Sequence, residues 1–233
     1  MPSVMESVNT KETGISIQVS LSGYSFKVSG SEGESRSEWL PAGRIFTTPE
    51  FQRRYSSVEI SLFTPKVTLV PESFFSAASA REALSEVSRL RETDYVEYVP
   101  VPRFGAVMVY SNSIGESLSE TVARTVFDTS GNTARVLPEL WFILRDLQSC
   151  PDYNKILCSW MDGWLFIAVA QGSSLLLANV FEAADFTTAE YFIFLAMKRL
   201  QLNPEVSSIC FRTPLEYEQE MSLYRYFKSV EQL

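Results

Sequence analysis

Residues 156–183 read ILCSWMDGWLFIAVAQGSSLLLANVFEA. Three apolar runs are separated by Asp162-Gly163 and by Gln171-Gly172. Asp-Gly between such runs is a strong hairpin signal, because both residues tolerate the positive φ of a tight two-residue turn. The stretch therefore predicts three consecutive strands joined by short turns. It also poses a choice for Asp162, which is either a turn residue or a ligand at the tip of a hairpin.

A second stretch repeats the pattern. In residues 14–28, GISIQVSLSGYSFKV, Ile15, Ile17, Val19 and Leu21 alternate, then Tyr24, Phe26 and Val28 alternate, with Ser22-Gly23 as the break. This predicts a hairpin of two half-buried strands. Apolar run, turn glycine, apolar run thus opens each half, which indicates an internal duplication. Between them the pattern predicts a short strand near 44–46, a short helix over 49–55, and strands over 58–63 and 66–70. Pro71 opens a helix whose face is Ala80, Ala83, Leu84, Val87 and Leu90. DYVEYVPV and AVMVYS are strands, and Ser113 with Glu116 reads as a capping box. FDTSGN, which could hold an anion, is accounted for by turn chemistry. TARVL is a short strand and 138–148 a buried helix.

The boundary falls at 149–152, giving domains 14–149 and 150–233. In the second, Thr187 and Glu190 form a capping box for a helix that Asn203-Pro204 stops near 201. VSSICF is a strand. Thr213, Pro214 and Glu216 cap a last helix lined by Tyr217, Met221, Tyr224 and Phe227. If exposed, Tyr224, Tyr226 and Phe227 would suit a protein partner.

Composition restricts the chemistry. The 233 residues suit one large domain or two small ones, and 45% hydrophobic content with 16 Phe, 10 Tyr and 4 Trp supplies a sizeable core. The net charge of −8, with no Lys/Arg block beyond the pairs Arg53-Arg54 and Lys198-Arg199, disfavours nucleic acid and anionic membrane surfaces as partners. Cys150, Cys158 and Cys210 are odd in number and lack a C-x-x-C spacing, which predicts buried, reduced thiols. No leader-like run opens the chain and no run reaches transmembrane length, so a soluble cytoplasmic protein is expected. There is no histidine. That removes the commonest general base and the imidazole metal ligand, and leaves carboxylates, Lys, Tyr, Cys or an oxygen-bound metal. Cys150 and Cys158 are too few for zinc. Neither G-x-x-x-x-G-K-[ST] nor G-x-G-x-x-G occurs.

Three strands followed by helix, strand, helix, twice over, resembles the ribonuclease H-like fold as duplicated in actin-like ATPases. The stretch LLLANVFEAADFTTAEYFIFLAMKRLQLNPEVSSICF resembles more specifically an uncharacterised bacterial family placed with the actin-like folds. The match is carried by Leu175, Leu176, Leu177, Asn179, Phe181, Thr188, Tyr191, Phe192 and the run Gln201-Leu202-Asn203-Pro204, with LYRYFKSV at the end. The resemblance implies an α/β fold of two ribonuclease H-like halves, with mixed sheets flanked by helices in the actin-like ATPase architecture. It places phosphate-hairpin positions at Ser20, Ser22 and Gly23 in the first half and at Asp162 and Gly163 in the second. Ser20 stands where such a hairpin carries an aspartate, and a hydroxyl supplies no charge. The Gly-Gly turn expected after a late strand is absent, and that position reads ICFRTP.

The expectation is therefore a non-catalytic binding or scaffolding module with eroded nucleotide motifs and no cofactor. Its partner would be a protein, or a small ligand in the cleft between the halves; the oligomeric state stays open. The alternative is a divergent ATPase or small-molecule kinase that binds ATP with Mg through Asp162. A nuclease needs three or four converging carboxylates. The strands offer Gln18 or Ser20 and Ser159, VSSICF has no acid, and Glu190 is claimed by the capping box, so this reading is disfavoured.

Overall fold

A computed structural model describes residues 13–31, 33–113 and 116–233. Two compact units are present. One comprises the chain up to Ile60 together with Ser117–Val136, the other Ser61–Glu116 together with Leu137–Leu233.

In the first half, β1 (Gly14–Val19) and β2 (Tyr24–Gly30) form the expected antiparallel hairpin, with Ile17 opposite Phe26 and Val19 opposite Tyr24. β3 (Gly33–Arg36) pairs with β2. The hairpin is not half-buried as alternation predicts. Toward its turn Gln18, Ser20 and Ser25 are buried along with Val19 and Tyr24, so both faces are covered there. Two 3-10 turns, Ala42–Thr47 and Pro49–Gln52, replace the expected strand near 44–46 and the expected helix over 49–55. Phe51 is thereby set against Tyr24 and Phe26, ring centroids 5.1 and 5.6 Å apart. Burial of that ring, rather than local propensity, decides the conformation.

β4 (Arg54–Tyr55) and β5 (Ser57–Leu62) follow, then β6 (Val67–Pro71). The long helix expected after Pro71 is broken into 3-10 turns and a single short helix, α1 (Ala80–Ser85). Ser76 is extended and the helix entry has no side-chain cap, so the apolar spacing does not propagate. Ala80 and Leu84 nevertheless pack with Val109 in a small core. β7 (Glu97–Val101) and β8 (Ala106–Tyr110) join β6 in an antiparallel sheet ordered β6-β8-β7. Then come α2 (Glu116–Ala123), β9 (Phe127–Asp128), which pairs with β4, and β10 (Val136–Pro138). The capping box expected of Ser113 and Glu116 runs through residues 114 and 115 and needs the Glu116 side chain, which lie outside the described residues. FDTSGN is the turn expected, with Asp128 accepting from the Asn132 backbone and side chain at 2.7 and 3.1 Å.

After α3 (Glu139–Asp146) the second half begins with β11 (Asn154–Met161), β12 (Trp164–Gln171) and β13 (Ser174–Glu182), the predicted antiparallel meander. α4 (Phe186–Arg199), β14 (Ser208–Phe211) and α5 (Tyr217–Tyr224) follow. A fifth strand, β15 (Ser229–Gln232), forms where no strand is expected. β11, β14 and β15 run parallel, so the sheet is mixed.

Sheet order reveals the duplication. The second sheet is β13-β12-β11-β14-β15 and the first, from its other edge, is β3-β2-β1-β5-β10. Both read third, second, first, fourth, fifth. The strands that repeat end at Pro138 and restart at Asn154. The extra elements of the first half, β6 to β8 and α1, lie between its fourth and fifth strands. The second half encloses a core in which Ile156, Cys158, Leu165, Ile167 and Val169 meet Ile193 and Met197 of α4 and Leu223 of α5. All three cysteines are free and buried, and burial raises the Cys158 thiol pKa. Among the described residues no helix is long and apolar enough to cross a membrane.

Candidate functional site

Ser20, Ser22 and Gly23 meet in the turn between β1 and β2. The Ser20 N–H donates to the Gly23 carbonyl at 2.9 Å and closes the turn. The Ser22 N–H donates to Ser20 Oγ at 3.2 Å, and the two hydroxyls lie 3.0 Å apart. The Trp39 indole N–H donates to Ser22 Oγ, also at 3.0 Å. Gly23 has φ +154°, and a Cβ added to it would lie 2.1 Å from the Leu40 carbonyl oxygen. Tyr24 and Leu40 exchange both backbone hydrogen bonds at 2.9 and 2.7 Å. Residues 39–41 therefore cross directly over the turn. Glycine is needed here because the chain's own backbone approaches this closely. No carboxylate belongs to the turn.

Asp162 and Gly163 form the turn between β11 and β12, closed by the Met161–Trp164 pair. Their φ values are +50° and +78°. Two consecutive positive values across a two-residue loop are the I′ geometry that suits the strand twist. The Asp162 side chain is exposed. Behind the turn, the Ala183 N–H donates to the Gly163 carbonyl at 2.7 Å and the Trp160 indole N–H to the Ala183 carbonyl at 2.9 Å. The Trp160 ring meets Phe186 edge-on at 5.5 Å. The residues around this hairpin are thus bonded to one another, and the Asp-Gly pair has the backbone geometry of a two-residue turn.

The segment after β14, where a Gly-Gly turn is missing, is also internally engaged. Thr213 Oγ1 accepts the Trp160 N–H at 3.1 Å instead of capping a helix. The N-cap of α5 is Glu216, in a reciprocal capping box with Gln219. Arg212, 8% exposed, turns inward. Its Nε donates to Glu139 at 2.9 Å, and its guanidinium also bonds Asp146 and lies 5.3 Å from the Phe142 ring. Glu139 is completely buried. Ser61 and Ser159 donate to it as well, the latter at 2.7 Å. Both its oxygens are therefore occupied.

Neither the Trp39–Leu40 segment over the first turn nor the Glu139–Arg212 cluster is among the sites expected from the sequence. The signals were present: a tryptophan at the end of a polar loop (SEGESRSEW), a glutamate opening an otherwise apolar helix (ELWFIL), and an arginine closing a buried strand (SICFR).

Among the described residues the carboxylates a nuclease needs do not converge. Among the described residues no group of three or more His, Cys, Asp or Glu is placed to hold a metal. Ser159 is committed to Glu139. Glu190 is not a capping partner, because the N-cap of α4 is Asp185, which accepts from the Thr188 N–H at 2.7 Å. Among the described residues Oε1 of Glu190 is buried without a hydrogen-bond partner.

A family model described as "Protein of unknown function (DUF3822)" matches residues 42–230. By sequence, no curated protein matches the chain. Solved structures of similar fold include two that superpose over most of the chain. A Bacteroides thetaiotaomicron VPI-5482 protein with actin-like ATPase fold and unknown function superposes with a TM-score of 0.67 at 16% identity, covering 99% of this chain and 94% of that one. A PilM–PilN type IV pilus biogenesis complex gives 0.55 at 13% identity, covering 94% and 88%. With the repeated strand order, these likenesses establish the actin-like ATPase architecture.

Proposed function

The chain belongs to the DUF3822 family, and we propose that it serves as a non-catalytic binding or scaffolding module on an actin-like framework, in the bacterial cytoplasm. One observation carries this reading. A Cβ on the glycine at the first phosphate-hairpin position would lie 2.1 Å from the Leu40 carbonyl oxygen, so the chain's own backbone covers that side of the turn. The serine at 20, the I′ turn at Asp162-Gly163 and the buried Arg212-Thr213 segment support it in the same sense. The name of the PilM–PilN complex, an assembly of two proteins on a related fold, is in keeping with a protein partner.

The competing function is a Mg-dependent ATPase or small-molecule kinase using Asp162. Thermal unfolding with and without ATP and Mg²⁺ separates the two. A ligand that binds the native state at a hundred times its dissociation constant stabilises it by about 2.7 kcal/mol, which is several degrees for a chain of this size. No shift is expected. A shift that Asp162→Asn abolishes would overturn the proposal. The substitution is a clean probe, since Asn-Gly fits the I′ turn as well as Asp-Gly does.

A further inference from the structure

α5 turns little apolar surface inward. Leu223 is fully buried, while Gln219 and Ser222 are half-buried. The opposite face carries Tyr217, Met221 and Tyr224, which are 76%, 43% and 44% exposed. They stand at i, i+4 and i+7, so at about 100° per residue they form a single narrow stripe. Tyr226 continues it just past the helix end, 51% exposed, with its ring 4.9 Å from Phe194 of α4. Large exposed apolar side chains are unremarkable when scattered singly, whereas a contiguous row marks a contact surface. Tyr224 and Tyr226, which the sequence offers as a contact patch if exposed, are exposed, and Tyr217 and Met221 extend the row. Of the aromatics near the C-terminus, only Phe227 is buried.

Charge indicates what covers the stripe. Glu218 follows Tyr217 by one position and Arg225 follows Tyr224 by one, so both lie on the same flank. Both are exposed, and among the described residues neither takes part in an ion pair. We propose that α5 packs antiparallel against α5 of a second copy, about a two-fold axis near Met221. Such an axis sets Tyr217 against Tyr224 of the second copy and Met221 against its own counterpart. In an antiparallel pair like flanks meet, so Glu218 of each copy faces Arg225 of the other, twice by symmetry. A partner of uniform charge would leave one of the two facing its own sign. The eight residues of α5 offer less than the roughly 800 Å² per partner of a standard interface, so association is weak and reversible. It does not depend on whether a nucleotide binds.

Sedimentation equilibrium of the full chain, from about 1 μM to about 1 mM, covers the range of such a complex. A monomer–dimer equilibrium is expected, and Met221→Asp should leave only monomer with an unchanged circular dichroism spectrum. Glu218→Arg and Arg225→Glu should each weaken the dimer at least about fivefold, and the double exchange should restore it, as paired opposite charges require. As an independent measurement, Met221→Cys should oxidise to a covalent dimer while Glu205→Cys, exposed elsewhere, should not; the native thiols are buried and do not compete. A chain monomeric throughout, a dimer indifferent to Met221→Asp, or a double exchange that fails to restore association would each overturn the proposal.

Discussion

Gln201 ends α4 in the left-handed region, at φ +56°. The Leu202 N–H reaches the Met197 carbonyl at 2.9 Å and the Gln201 N–H reaches that of Lys198 at 3.2 Å. This is a Schellman closure, with buried Leu202 and Met197 supplying its apolar contact. The position usually held by glycine carries a side chain that is strained there. Gln201→Gly should therefore stabilise the protein by about 0.5–1 kcal/mol, the relieved strain exceeding the added freedom of the unfolded chain. A urea midpoint that falls, at unchanged slope, would contradict this. Asp162 adopts the same region at no comparable cost, because a short polar side chain tolerates it.

At the scale of elements, α3 enters its sheet with a charge at its first residue. Glu139 is tolerated because three donors from three other segments converge on it: Ser61 in β5, Ser159 in β11 and Arg212 after β14. Glu139→Ala takes its buried carboxylate partner from the Arg212 guanidinium, which is 8% exposed, and breaking a buried pair in this way costs about 3–5 kcal/mol. Glu139→Ala with Arg212→Met should cost less than the sum of the two single changes, because the buried cation and its buried carboxylate are then removed together. Additive losses in a urea-unfolding cycle would show that the two side chains act independently.

Acid stability of the whole molecule should carry the mark of Asp94. Burial pushes its carboxyl upward, but hydrogen bonds from the Lys66 ammonium, the Arg91 backbone N–H and the Ser113 side chain, with the Lys66 charge, outweigh that and bring its pKa down to about 2. The folded value lies below the ordinary 3.8, so the contribution is complete above about pH 4 and disappears as pH falls toward 2. Unfolding free energy measured from pH 5 to 2 should fall less steeply in Asp94→Asn than in the parent. Parallel curves would mean that the Lys66–Asp94 pair forms equally well in the unfolded chain.

Local sequence sets the punctuation of the chain. The glycine turns, the three-strand meander, the 3.6-residue spacing of α4 and the repeat of one pattern in two halves were legible because they are local, and local geometry follows from the φ preferences and apolar periods of a few adjacent residues. The 3-10 turns over 42–52, the broken helix after Pro71 and the fifth strand at 229–232 were not. In each, packing against distant residues outweighs a short run's own preference. The candidate site divides the same way. Asp162-Gly163 could be read as a turn from two letters, whereas the need for glycine at position 23 could not, because it arises from Leu40, seventeen residues away, crossing the hairpin. Glu139 is the plainest case: its donors come from three separate segments, and only the folded chain brings them to one carboxylate.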